Sequence, residues 1–441
     1  MKLVEGNAGH TRSTRHALHI LKRIFRDFPG GLEVRLWDGH AVSLGSHPPR
    51  FTMTFRDPVK FREVMLCRDP LRLADAHFSG AVEIEGSIYD VLGLKDYFQS
   101  LRLSAAEKAA ILARTLTIRR PPRDRQEDAA GDDRSWRARA SGRHSKESDR
   151  HAIAFHYDVS NEFYALWLDE QMVYSCAYFE TPEDGLDQAQ RQKLDHLCRK
   201  LRLKPGERLL DIGCGWGGLV CWAARHYGVK AHGITLSHRQ LEHAQRRIRE
   251  QGLEGRVTVE LRDYRDMPGQ ECFDKVVSVG MFEHVGIRNL PVYFRTAHRL
   301  LKPGGLFMNH GITTQNEGWC RNIDNEFINR YVFPDGELET ISNVQRGMEQ
   351  SGFEILDVES LRAHYALTLR HWVRRLEDRR QDAIRYAGEA TFRIWRMYMA
   401  ACALQFEAGE MGLYQILGGK KNNSLPAVPL TRRDLYPPRS S

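Results

Sequence analysis

Leu209-Leu210-Asp211-Ile212-Gly213-Cys214-Gly215-Trp216-Gly217-Gly218-Leu219 reads as a buried strand that enters a glycine turn and then a helix. Glycines let a backbone approach a ligand closely, and a helix starting there offers unpaired N–H groups to a carboxylate or ribose oxygen. A dinucleotide site wants G-x-G-x-x-G; here the glycines fall as G-x-G-x-G-G, closer to methyl-donor sites. Asp211, Gly213, Gly215 and Gly217 are therefore candidate cofactor contacts. After the next strand, Ala231-His232-Gly233-Ile234-Thr235-Leu236-Ser237 carries no acid to hold ribose hydroxyls, which leaves Thr235, Leu236 and Gln240 as the groups available there. Asp263, in Leu261-Arg262-Asp263-Tyr264-Arg265, could reach an adenine edge.

Two further concentrations could do chemistry. Aromatic residues crowd 156–164 and 172–179, either as a helical cover over a sheet or as a π-rich channel mouth that holds a lipid chain and favours a cation developing on it. Glu283, in Gly280-Met281-Phe282-Glu283-His284-Val285-Gly286, and His310, in Met308-Asn309-His310-Gly311-Ile312, fall at strand tips. Cys402 lies on a stripe with Trp395, Met399 and Phe406 at helical spacing, where a thiol is usually packing.

The elements that must position these groups are apolar strands alternating with helices: 208–212, 229–234, 257–261, 274–279 and 305–312. Such alternation predicts an α/β fold, a parallel sheet with helices on both faces, whose ligand crevice lies beyond the strands' carboxyl ends. Short alternating runs punctuated by Gly and Pro between Gly31 and Phe98 predict strands of a small α+β domain over 1–118. Residues 119–150 are nearly devoid of apolar content and read as a charged flexible linker, which separates that domain from the alternating region, expected over 151–420, and 421–441, rich in Pro and Arg, are expected to be a disordered tail.

At 441 residues the chain is long enough for two domains. Its net charge of +8 favours an anionic partner, a nucleic acid or an acidic bilayer. Eight cysteines without a C-x-x-C pair argue against a zinc site or disulfide framework and fit a reducing cytoplasm. No apolar run approaches the roughly 18 residues of a membrane span. Residues 14–28 set Leu18, Leu21, Phe25 and Phe28 on one helical face, fit for a membrane surface or for capping a core.

Seven segments carry a resemblance to a known family: HYDVSNEFYALWLDEQMVYSCAYF (156–179), LLDIGCGWGGL (209–219), GITLSHRQ (233–240), SVGMFEHVG (278–286), LKPGGLFMNHGIT (301–313), FINRYVFPDG (327–336) and YALTLRHW (365–372). In this order they resemble the cyclopropane-fatty-acyl-phospholipid synthase family, whose mycolic acid cyclopropane synthase relatives share the catalytic domain. The resemblance implies a Rossmann-like methyltransferase domain with a helical cover. It implies that S-adenosylmethionine methylates a cis double bond of a phospholipid acyl chain, and that a bound bicarbonate removes a proton to close the ring. Carried over, the bicarbonate cage would comprise Cys176, Glu283, His310, the Ile312 backbone and Tyr365, with the Ile312 N–H as a donor and Glu283 orienting His310. The cofactor contacts would include Tyr174, Ser175, Gly213, Gly215, Thr235, Gln240, Tyr264 and Arg265. Cys402 is a second cysteine that family descriptions associate with activity. The implied setting is the inner face of an anionic cell membrane, reached peripherally from the cytoplasm, with no nucleic acid partner and with a homodimer as a compatible assembly. A relative ending in a methylene or methyl branch, or a soluble small-molecule methyltransferase, would share much of this pattern.

Overall fold

The computed structural model describes residues 11–66, 71–119, 159–316, 323–332, 337–422, 424 and 428–436. The linker expected at 119–150 lies, apart from Arg119, outside them, as do His156, Tyr157 and Asp158. The chain divides into two compact units, Met1–Arg137 with Gly388–Ala401, and Ala138–Ala387 with Cys402–Ser441.

In the first unit a four-stranded sheet has the order β2-β1-β3-β4, from strands β1 (Gly31–Arg35), β2 (Ala41–Gly45), β3 (Phe51–Phe55) and β4 (Val82–Gly86). β1 and β3 run parallel and the other pairs antiparallel. The stretch between β3 and Phe98 is mostly helical (Pro58–Leu66, Leu71–Phe78, Ile88–Leu92, Leu94–Ser100) and among its described residues holds one strand, β4. Helix Arg12–Ile24 is capped by the Thr11 side chain and buries Ala17, Ile20 and Leu21, with Phe25 and Phe28 following it inward against Tyr97. Its apolar face therefore caps a core. Its outer row, Arg12, Arg15, His19, Lys22 and continuing to Arg26, is exposed. Residues 388–401, expected within the 151–420 region, cluster by contacts with this unit. The buried guanidiniums of Arg393 and Arg396 donate to the His77 carbonyl (2.8 Å) and the Gly86 carbonyl (2.7 Å), long-range contacts that no local pattern announces.

The second unit is built on a seven-stranded sheet of order β10-β11-β9-β8-β5-β6-β7. β5 (Arg208–Ile212), β6 (Lys230–Thr235), β7 (Val257–Leu261), β8 (Phe273–Val279) and β9 (Leu301–Thr314) are the five expected strands, all parallel. Leu209, Leu210 and Ile212 are fully buried, because helices cover both faces of the sheet. One face packs helices Leu186–Lys200, Gly218–Tyr227 and His238–Glu250; the other packs Leu290–Leu300 and Ile341–Gln350.

The sheet is not all-parallel. β10 (Phe353–Ser360) and β11 (Met411–Lys420) extend it, and β11 runs antiparallel between β9 and β10. β11 is nearly continuous in burial from Leu413 to Gly419, so it lacks the alternation that marks a strand in sequence. The described part of the tail is also anchored, contrary to a disordered reading of 421–441. Leu435 is 1 % exposed, its carbonyl accepts from Arg199 (2.7 Å), and Asp434 pairs with Arg202 (3.1 Å).

The chain leaves β5 for β6 and β7 on one side and returns to β8 and β9 on the other. That reversal opens a crevice at the carboxyl ends of β5 and β8, where ligands of such sheets bind.

Candidate active site

A cleft enclosing about 1110 Å³ of space open to solvent occupies this crevice. Asp211 lines it from β5 and Gly213 and Gly215 from the turn that follows, Thr235 from the end of β6, Leu236 just beyond it, Gln240 from helix His238–Glu250, and Asp263, Tyr264 and Arg265 from the turn after β7. Tyr174 and Ser175 line it from the aromatic cover. Gly215 has φ +55° and open space where a Cβ would stand, leaving room for a ligand against its backbone. Gly217 does not line the cleft. It caps helix Gly218–Tyr227 with φ +83°, and a Cβ there would meet the Ala244 side chain at 3.0 Å, so this glycine serves helix packing.

Thr235 and Gln240 act as a pair, the Thr235 hydroxyl donating to Gln240 Oε1 at 2.6 Å. Asp263 is engaged by Arg265 through the backbone N–H (2.8 Å), Nε (2.8 Å) and Nη2 (2.6 Å), and Arg265 lies over the Tyr264 ring. The Asp211 carboxylate is 2 % exposed and its Oδ1 has no hydrogen-bond partner; burial raises its pKa to about 7, against the pull of Lys193.

Glu283 and Ile312 meet just past the end of β8. There Gly280 N–H donates to the His310 carbonyl (2.8 Å), and the next N–H along β9 on that side, from Ile312, has no strand opposite it. Glu283 Oε1 accepts it at 2.7 Å. The Ile312 N–H is therefore already used to hold Glu283, and is not a free donor as the sequence reading had it. Glu283 comes so close to the strand that a Cβ on Gly311 would fall 2.9 Å from Oε1. Glu283 Oε2 is buried without a partner, and burial raises the carboxyl pKa to about 7 despite the Ile312 bond.

His310 is 1 % exposed and held well below the ordinary imidazole pKa by burial and by Lys193 and Lys200, so its ring is neutral. The amide of Gln415 donates to Nδ1 (3.2 Å), which puts the ring hydrogen on Nε2, and that atom is buried with no partner. Gln415, and not Glu283, orients His310. The Cys176 thiol is buried, is pushed up in pKa by burial, and donates to the Ala177 carbonyl at 3.1 Å. Tyr365, 8 % exposed, packs its ring on Phe406 (4.8 Å) and edge-on to Trp372 (6.0 Å).

These rings continue an aromatic wall. Trp372 contacts Trp167 (5.4 Å) and Tyr174 (5.2 Å), and Tyr164 touches Tyr174 (5.7 Å) and Trp216 (5.0 Å), so one set of rings runs from the cleft to Tyr365. Trp395, Met399, Cys402 and Phe406 are all buried on one stripe of helix Glu389–Ala408, which places the Cys402 thiol in packing.

Residues 144–416 match the family model described as mycolic acid cyclopropane synthetase, and residues 19–100 match one described as a domain of unknown function. The chain belongs to the mycolic acid cyclopropane synthetase family. It is 42 % identical over 414 residues to a probable fatty acid methyltransferase of Pseudomonas putida, covering 92 % of this chain and 96 % of that one. It is 41 % identical over 262 residues to the cyclopropane-fatty-acyl-phospholipid synthase of Escherichia coli (strain K12), covering 59 % and 66 %. The solved structure of mycolic acid cyclopropane synthase CmaA1 complexed with SAH and CTAB is similar at a TM-score of 0.58 and 33 % identity, over 62 % of this chain and 98 % of that one. This cyclopropane synthetase relative is thus an S-adenosylmethionine-dependent methyltransferase of the cyclopropane and fatty-acid methyltransferase family.

In this family member two residues at the site went unseen in the sequence. Gln415 sits on β11, directly across from His310 in the register, and was hidden with its strand. Lys193 lines the cleft at 1 % exposure, with burial lowering its pKa to about 8. Its signal was present: it shares the inward stripe of helix Leu186–Lys200 with Leu186, Ala189, Gln190 and Leu197, where a lysine is out of place.

Proposed function

We propose that the chain is a cyclopropane-fatty-acyl-phospholipid synthase that methylates a cis double bond of a phospholipid acyl chain and closes the ring with bicarbonate as base. What supports this reading is that two of the residues concerned each keep a buried polar atom without a hydrogen-bond partner: the His310 Nε2–H, a donor, on β9, and Glu283 Oε2, an acceptor, in the turn after β8 that is held to β9 by Ile312. Buried polar atoms without partners are costly, and a small anion bearing one hydroxyl proton has the acceptor that the first requires and the donor that the second requires. Bicarbonate, when bound, supplies a base that is not itself a side chain open to alkylation. His310, fixed by Gln415 and kept neutral, would donate to it, and Glu283, fixed by Ile312, would accept its hydroxyl proton.

S-adenosylmethionine supplies an electrophilic methyl group. The cleft fits it: Gly215 leaves backbone room, Asp211 keeps an unpartnered oxygen, and Thr235, Gln240, Tyr264 and Arg265 also line it. The aromatic wall from Tyr174 to Tyr365 offers an acyl chain an apolar surface, and its ring faces favour positive charge developing on that chain. For docking, the exposed cations Arg12, Arg15 and Lys22 line one side of helix Arg12–Ile24, complementary to an anionic bilayer. Among the described residues no helix is long and apolar enough to cross a membrane.

A second reading, a fatty-acyl methyltransferase that ends in a methylene or methyl branch, is favoured by the near full-length similarity to the Pseudomonas putida protein. Labelled S-adenosylmethionine and vesicles of unsaturated phospholipid separate the two. A lipid product heavier by CH2 with cyclopropane ring protons in its NMR spectrum supports ring closure. Olefinic methylene protons, or a gain of CH4, support the branch, and label confined to a water-soluble product refutes both.

A further inference from the structure

We propose that Lys193 is a positioning residue for the cofactor: acting through the Ser175 hydroxyl, it supplies the positive charge that holds the carboxylate at the methionine end of S-adenosylmethionine. This deepens the reading of the cleft as the S-adenosylmethionine site and rests on it.

Helix Leu186–Lys200 delivers two polar side chains to the strap 173–175. Gln190 donates to the carbonyls of Ser175 (2.8 Å) and Val173 (3.3 Å) and fixes the strap. One turn later the Lys193 ammonium donates to Ser175 Oγ at 3.1 Å, the single hydrogen bond it makes among the described residues. Since that oxygen accepts from the ammonium, its own O–H remains to donate toward the cleft, which both residues line.

A lysine buried to 1 % exposure with one neutral partner calls for an anion. The buried carboxylates Asp169 and Asp211 lie close enough to act on the Lys193 charge, but neither bonds to it directly. Asp169 is turned to the backbone N–H groups of Gln171 (2.9 Å) and Val173 (2.8 Å), and neither Asp169 nor Asp211 forms an ion pair with Lys193 within 4.0 Å. The other arginines on the cleft sit at the opposite end and are taken, Arg262 by Glu260 (2.7 Å) and Arg265 by Asp263 (2.6 Å). One end of the cleft thus holds a buried cation behind a hydroxyl and, from Asp211, an unpartnered carboxylate oxygen. That arrangement is complementary to an α-amino acid group, carboxylate toward Ser175 and Lys193, ammonium toward Asp211.

The test is calorimetric binding, without turnover, of S-adenosylhomocysteine and of its decarboxylated analogue, which keeps the adenosine, sulfur and amine. The wild type should prefer the carboxylate ligand by at least about tenfold, the range of a hydrogen bond to a charged group. Lys193→Met should weaken S-adenosylhomocysteine by about tenfold or more and the analogue by less than about twofold, and Ser175→Ala should shift in the same direction. Equal weakening of both ligands by Lys193→Met, or an intact preference, overturns the proposal and leaves Lys193 a structural cation. If Lys193→Met does not fold, Ser175→Ala decides by the same comparison. A wild type that binds neither ligand overturns the cofactor reading of the cleft instead.

Discussion

Replacing Glu283 by Gln separates the base machinery from the donor machinery. The amide keeps an oxygen to accept the Ile312 N–H, now 2.7 Å from Oε1, so the turn after β8 stays anchored. What changes is Oε2: an unpartnered buried acceptor becomes an NH2 donor, and the group can no longer carry charge. Loss of a hydrogen bond to a charged group is worth about 1.5–3 kcal/mol, so turnover should fall about 10- to 100-fold or more, while the dissociation constant for S-adenosylhomocysteine stays within about twofold.

The same variant has a stability signature. Burial raises the Glu283 pKa from 4.5 unfolded to about 7 folded, so the folded state holds the proton more tightly. The stability this contributes is fully present below pH 4.5 and lost as pH rises through about 7, on the order of 3 kcal/mol across that window. Glu283→Gln cannot lose it. The thermal midpoint of the variant, compared with wild type, should therefore rise between pH 5 and pH 8. Stopped-assay turnover, calorimetry and scanning at the two pH values check all three. Cofactor affinity falling in step with turnover, or a midpoint difference flat with pH, would refute the reasoning.

Gln415→Leu removes the donor that sets the His310 tautomer. Turnover should drop about three- to tenfold with S-adenosylhomocysteine affinity unchanged, and ¹⁵N NMR of the His310 ring should show the hydrogen distributed over both nitrogens; an unchanged spectrum counts against the role. Cys402→Ala should leave turnover within about twofold and cost about 1 kcal/mol of stability, since the thiol packs on an apolar stripe; abolished turnover in a folded variant would restore a chemical role. Reversing Arg12, Arg15 and Lys22 to Glu should weaken binding to anionic vesicles by more than about 100-fold, at about 1 kcal/mol per cation, and wild-type binding should fall with salt; salt-insensitive binding would point to apolar insertion.

The strands that build the cleft were legible because each is a short apolar run bounded by a glycine or a polar turn. Arg208–Ile212 and Val257–Leu261 fall where the pattern set them. Legible too were the residues at their tips, since a parallel sheet has one functional edge, and Asp211, Thr235 and Asp263 line the cleft there. β11 was not legible, because it is buried on both faces and has no alternation; the antiparallel edge of the sheet and Gln415 went with it.

What the sequence determined by itself was therefore local and periodic: the glycine turn, the parallel strands, the residue types at their ends, and the family that these spell together. Tertiary structure decided the partnerships. Glu283 grips Ile312 because β8 stops short of it, His310 answers to Gln415 across β11, Gly217 faces Ala244 instead of the cleft, and Lys193 reaches Ser175 from another helix. A hydrogen bond needs its atoms within about 3 Å, and chain spacing does not specify which distant atoms meet. That is settled only when the sheet order and the helix faces bring them together.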